Sequence, residues 1–361
     1  DKPRLVVLYL LARKHIIGAR EGGFPMRTKW SLITALSGLV VAQALAAAPG
    51  AAAEFELRFA EPIPPTHVTR KYLTVPFMEG VTEATGGRVI FHQFPGGQLG
   101  RGPDMLALTG AGVTDMAQVV PGYTPDKLPL STVADMPGAF KTTCDGALAL
   151  LTMAGGGALL DTEEFAPNGV KVLAAAALPS YQIFLATKRP IAGPDDIRGL
   201  KIRSSGIGME QSLLQLGAVP IQMAAAEISE SMTRGTIDGA LFSYQSIVGN
   251  ELQDSVTYVL EVDFGTAAFA YAINLGTWNK LPEDVQNIMI KAGRDFSTAA
   301  CEGFAKEEET ARAIVEAAGA KFLKPNAEEQ ARLDAVYRSA LDIWARDLDA
   351  SGKKGSEVLA Q

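Results

Sequence analysis

Between Glu54 and about Leu275 the chain alternates short strand-like runs with helical stretches, and this restricts it more than any other feature. Glu56–Ala60 and Arg88–Phe94 carry a two-residue period, and Thr114–Val120 is a third strand-like run. Pro62, Pro64 and Pro65 force a loop, and a helix is predicted from about His67 to Thr85, closed by Gly86-Gly87. Further strands are predicted at Val170–Leu178, Tyr181–Thr187, Lys201–Arg203, Gly217–Gln222, Ile237–Phe242, Val256–Leu260 and Ala267–Leu275. Helices are expected at Asp104–Thr109, Cys144–Leu160, from Pro194, at Met209–Leu216 and at Ala226–Arg234. From Pro282 the spacing becomes helical, with breaks, through Ala318; a short strand at Phe322 and a helix over Ala327–Leu348 follow. Such alternation with a helical tail predicts an α/β protein with mainly parallel sheets.

The start of the chain follows other rules. Met26-Arg27-Thr28-Lys29 is basic, Trp30–Ala48 is uncharged, and Ala51-Ala52-Ala53 is a small-residue cleavage pattern. Residues 26–53 therefore read as a secretory signal peptide rather than a membrane anchor. Residues 1–25 read as translated upstream sequence or a non-native segment. Without residues 1–53 the net charge moves from −7 to −12, a balance that excludes nucleic acid as a natural partner. Cys144 and Cys301 are expected as two separately buried thiols, export making a disulfide the alternative.

Catalytic signatures are missing. There is no Gly-x-Ser-x-Gly elbow and no phosphate loop, and Gly206-Ile207-Gly208 is followed by Gln211 where a dinucleotide fingerprint needs glycine. His67 and His92 have no metal-ligand spacing around them. Neither a cofactor, a metal nor an enzymatic activity is expected.

Arg203 stands out instead. It ends the run Gly199-Leu200-Lys201-Ile202-Arg203 before Ser204-Ser205-Gly206. It thus sits at a strand's mouth, where open α/β sheets bind ligands. This run belongs to an ordered set: Gly86-Gly87-Arg88-Val89, Phe94-Pro95-Gly96-Gly97-Gln98-Leu99-Gly100, Lys188-Arg189-Pro190-Ile191, Pro194-Asp195-Asp196, Ile237-Asp238-Gly239 and Thr277-Trp278-Asn279-Lys280-Leu281-Pro282. Over about Glu54–Leu348 the chain resembles the solute-binding subunit of tripartite ATP-independent periplasmic (TRAP) transporters, of the DctP type.

The resemblance implies a two-lobed periplasmic-binding-protein fold with a ligand cleft between the lobes and long C-terminal helices. Residues 54–178 with about 265–300 would form the first lobe, and 179–264 with about 301–350 the second. It implies capture of a small organic acid in the periplasm, lobe closure, and delivery to membrane permease subunits. The motif arginine, here Arg203, would pair with the ligand carboxylate, for which a guanidinium fork is suited. Gln182 occupies the place of a second pocket arginine common in the family, and Ala240-Leu241-Phe242 replaces a more polar triplet. A monocarboxylate is therefore expected. Tyr123, Phe242, His67 and Asn274 are the other ligand-contact candidates by position. The alternatives are a ligand-presenting sensor on the same scaffold and, with no motif in its favour, an exported enzyme.

Overall fold

The computed structural model describes residues 53–361; the predicted signal peptide, apart from Ala53, and the segment before it lie outside them. The first stretch gives β1 (Phe55–Ala60), α1 (Val75–Ala84), β2 (Val89–Phe94), α2 (Met105–Gly110), β3 (Met116–Val119), α3 (Thr143–Met153) and β4 (Val170–Ala177). The second gives β5 (Gln182–Leu185), β6 (Lys201–Ser204), α4 (Ile207–Gln215), β7 (Val219–Gln222), α5 (Ile228–Thr233), β8 (Gly239–Phe242), α6 (Tyr244–Gly249) and β9 (Tyr258–Leu260). β10 (Ala268–Asn274), α7 (Leu275–Trp278), α8 (Glu283–Ala317), β11 (Lys321–Leu323), α9 (Ala327–Ala350) and α10 (Gly355–Leu359) complete the chain.

These strands form two sheets, ordered β2-β1-β3-β10-β4 and β11-β9-β5-β8-β6-β7. The sheets are mixed, where mainly parallel sheets were expected. β10 runs antiparallel to both β3 and β4, and β5 antiparallel to both β8 and β9. The reason is topological. β10 enters the first sheet only after the chain has passed through five of the second sheet's six strands, so it arrives from the opposite direction. Its two passages between sheets lie side by side, joined by Leu178 N–H to Ala267 O (3.0 Å), Tyr181 N–H to Gly265 O (2.7 Å) and Phe264 N–H to Tyr181 O (2.7 Å). This lays out two lobes facing each other across a pair of crossing strands.

α8 is one unbroken helix of 35 residues where breaks were expected. It packs on β4 and α3 and continues to α6. Gly293 lies flush on the backbone of β4, because a side chain there would strike the Leu173 carbonyl. The helix expected to run to Leu160 instead stops at Met153, ahead of Gly155-Gly156-Gly157, where Gly157 has φ +84°. The helix expected from Pro194 is a single turn, Pro194–Ile197. α6 was not anticipated; its first N–H groups, of Tyr244 and Gln245, are held by the Glu308 carboxylate of α8 (2.9 and 3.1 Å), far off in sequence.

The expectation of two separate thiols is corrected. Cys144 of α3 and Cys301 of α8 form a disulfide, the packing of those helices bringing their Cα atoms to 5.5 Å.

Candidate ligand-binding site

β1, β2 and β3 of one sheet, and β6, β7 and β8 of the other, point their C-terminal ends toward a shared cavity of about 250 Å³. Loops leave the strands there, and such ends are where α/β sheets hold ligands. The first lobe contributes the Pro62–Pro64 loop, His67, Thr69, Gly96, Gly97, Arg101, Gln118, Val120 and Tyr123. The second contributes Ala224–Glu227, Phe242, Ser246 and Asn250, and the crossing strands add Leu178, Tyr181 and Ala267. Most of this wall is apolar.

Arg203 is the next-to-last residue of β6 and has no exposed surface. It sits one layer behind the wall, its guanidinium carbon 5.4 Å from the centre of the Phe242 ring. Its Nε donates to Met223 O and its Nη1 to Leu241 O, both at 3.0 Å. Among the described residues no ion pair includes it. A fully buried guanidinium without a carboxylate on it is a costly arrangement, and the Tyr181 hydroxyl lies close enough to share a side-chain hydrogen bond with it.

Asp135 feels the charge of Arg203. Burial pushes its carboxyl up to about 7, although the Ala268 N–H and the field of Arg203 pull the other way. Its Oδ1 accepts from Ala268 N (2.8 Å) and its carbonyl from Thr266 N (3.2 Å), so it is fastened to the crossing strand. The buried Tyr181 phenol is also raised by desolvation, with Arg203 opposing.

Tyr123, Phe242 and His67, each singled out from the sequence, line the cavity. The Tyr123 hydroxyl accepts from Ala225 N (3.1 Å), and Gln222 Nε2 donates to Gly122 O (2.8 Å); both bonds join the lobes. The Nδ1 of His67 accepts from Thr69 N (3.2 Å), which leaves Nε2 as the protonated nitrogen. Burial lowers this histidine to about 4, so it is neutral at physiological pH.

Gln182 and Asn274 are not brought into the cavity. Gln182 Oε1 accepts from Val262 N (2.7 Å) and Asp263 N (3.1 Å), and its Nε2 donates to Asp263 Oδ1 (2.9 Å). Asn274 caps α7 through Thr277 N (2.9 Å) and donates to Thr109 O and Gly110 O. Both amides are spent on other protein groups, all of them backbone except the Asp263 carboxylate.

The sequence reading missed Arg101, Thr69, Gln118 and Tyr181. Arg101 lies at the rim, its side chain 76% exposed and 3.7 Å from Asp104. Gln118 had a legible signal: Met116 and Val120, its same-face neighbours, are apolar and buried, and so is Gln118 at 2% exposure.

Two α/β lobes around a largely apolar cavity, with an arginine set behind its wall, are the architecture of a two-lobed solute-binding protein. The sequence profile of the bacterial extracellular solute-binding proteins, family 7 (DctP), matches residues 59–347, and the chain belongs to that family. It is a transport receptor rather than an enzyme. The C4-dicarboxylate-binding periplasmic protein DctP of Rhodobacter capsulatus is 27% identical over 331 residues, 87% of this chain and 95% of that one. A TRAP solute-binding protein from Rhodoferax ferrireducens in complex with copurified benzoate has a TM-score of 0.76 at 23% identity, covering 84% of this chain and 95% of that one. One from Bordetella bronchiseptica with bound mandelate has a TM-score of 0.76 at 24% identity, with 84% and 96% covered. These two likenesses are of fold. Among the described residues no helix is long and apolar enough to cross a membrane.

Proposed function

We propose that this chain captures a small monocarboxylate with an apolar body in the periplasm, after export through residues 26–53, and delivers it to TRAP permease subunits. The carboxylate pairs with Arg203. Phe242, Tyr123 and His67 enclose the remainder. The observation that carries this reading is the buried guanidinium of Arg203, which among the described residues has no ion-paired acid and lies directly behind the cavity wall. An anion reaching it gains a charge-assisted, bidentate contact in a poorly solvated place.

A single-ended acid fits better than a dicarboxylate. Gln182 stands away from the cavity, Arg101 lies at its rim in water, and among the described residues the buried Arg70 is outside the lining and paired with Glu61. A volume of about 250 Å³ is at the small end of ligand clefts, which run from roughly 300 Å³ upward. It suits an acid built on one ring or a short chain.

The test is a thermal-shift screen of monocarboxylates, dicarboxylates, sugars and amines, with mass spectrometry of any ligand that copurifies. Stabilisation of about 2.7 kcal/mol is expected at a hundred times the dissociation constant. Shifts from sugars or amines with none from any monocarboxylate would overturn the reading.

A further inference from the structure

The first lobe's side of the cavity carries polar atoms that the apolar reading does not use. Gln118 is 2% exposed and Thr69 is fully buried; both line the cavity, yet among the described residues no group hydrogen-bonds Gln118 Oε1 or Thr69 Oγ1. Buried polar atoms are ordinarily paired, and an unpaired one is a net cost to the fold. Gln118 stands on a four-residue strand buried along its whole length, between Met116 and Val120, where packing alone calls for an apolar side chain. Local rules are broken in this way at functional positions.

The chemistry of the two atoms says what is missing. An amide oxygen only accepts, so its partner must donate. The threonine hydroxyl can do either. His67, on the same side, has Nδ1 occupied and offers a donor at Nε2. A ligand hydroxyl both donates and accepts and meets all three; an ether, a halogen or a bare hydrocarbon cannot satisfy Gln118.

We propose that Gln118, supported by Thr69, selects a hydroxylated monocarboxylate: the carboxylate goes to Arg203 on the second lobe and the hydroxyl to Gln118 on the first. This rests on the function proposed above and adds a second point of recognition. A ligand read at both ends bridges the lobes, so the hydroxyl contributes to closure as well as to contact.

The experiment is calorimetric titration of the protein with benzoate, phenylacetate and hexanoate, and with their hydroxy and methoxy (or terminal-hydroxy) counterparts, in all ring isomers. At least one hydroxy acid should bind about tenfold more tightly than both its parent and its methoxy analogue. Gln118→Met, close in volume, should erase that preference and leave the parent acid's affinity within about threefold. Equal affinity across every set, or a preference that survives Gln118→Met, overturns the assignment while the carboxylate site stands. Should Gln118→Met fail to fold, the wild-type comparison decides alone. Failure of every carboxylate to bind overturns the proposed function and this inference with it.

Discussion

The guanidinium of Arg203 stacks over the ring of Phe242, 5.4 Å from its centre, so the residue that fronts the cavity also holds the charge behind it in place. Two backbone carbonyls, of Met223 and Leu241, fix the same group from other sides. The fork is therefore held in one orientation before a ligand arrives.

Arg203→Lys keeps the charge but loses the planar fork and the stack. Carboxylate affinity should fall by about a hundredfold, in line with a charge-assisted hydrogen bond of roughly 1.5–3 kcal/mol. Arg101→Ala, at the wet rim, should change affinity less than about threefold. Calorimetric titration of both variants checks the contrast, and equal losses would reassign the anchor.

Gly206 and Gly122 meet backbone to backbone between the lobes. A Cβ at Gly206 would lie 2.7 Å from both the Cα and the carbonyl oxygen of Gly122. Its φ is 176°, so space rather than backbone conformation accounts for the glycine. Gly206→Val should leave the melting temperature of the ligand-free protein nearly unchanged and weaken binding at least about tenfold by disfavouring the closed state. X-ray scattering with saturating ligand should give a larger radius of gyration than the wild type; an identical one would refute this.

Asp135 makes stability depend on pH in an unusual direction. Its carboxyl is raised to about 7 by burial, so folding favours the protonated form. Between the ordinary carboxyl range, about 4, and pH 7 the folded chain keeps a proton that the unfolded chain has lost. Its contribution therefore declines as pH rises through that window and is gone above it. Asp135→Asn keeps an acceptor for Ala268 N. Relative to wild type it should gain stability from pH 5 to pH 8, read as urea midpoints. A constant difference would show that Asp135 does not titrate there.

The Cys144–Cys301 disulfide spans 157 residues. Closing so long a loop restricts the unfolded chain strongly, and its removal should cost roughly 2–5 kcal/mol. Thermal melts of Cys301→Ala, and of wild type with and without reductant, measure this. Alkylation mass should add no label to the unreduced protein; two labels would mean free thiols.

Much of this molecule was legible in the sequence because strands announce themselves by period and by the glycines and prolines that end them. β1, β2, β4, β6 and β10 follow their patterns closely. What failed depends on distant partners. α6 relies on Glu308 from another helix, and α8 runs through Gly293 because the glycine serves packing against β4 rather than a break. Arg203 could be singled out because a local run frames it. Gln182 and Asn274 were misplaced because a two-residue period gives the alternation of faces but not which face a loop such as 262–263 covers. Gln118 was passed over as an ordinary strand residue, its isolation from hydrogen-bond partners being invisible without the tertiary structure.

The same disulfide carries an ordering in time. Cys144 belongs to the first sheet's lobe, and its partner lies on α8, beyond every strand from β5 to β10. For a chain delivered amino end first into an oxidising compartment, the thiol of α3 waits unpaired while five of the second sheet's six strands and the returning β10 emerge. The native bond closes when α8 lies against α3, so its formation marks the meeting of two helices whose segments most of the second sheet separates in the chain.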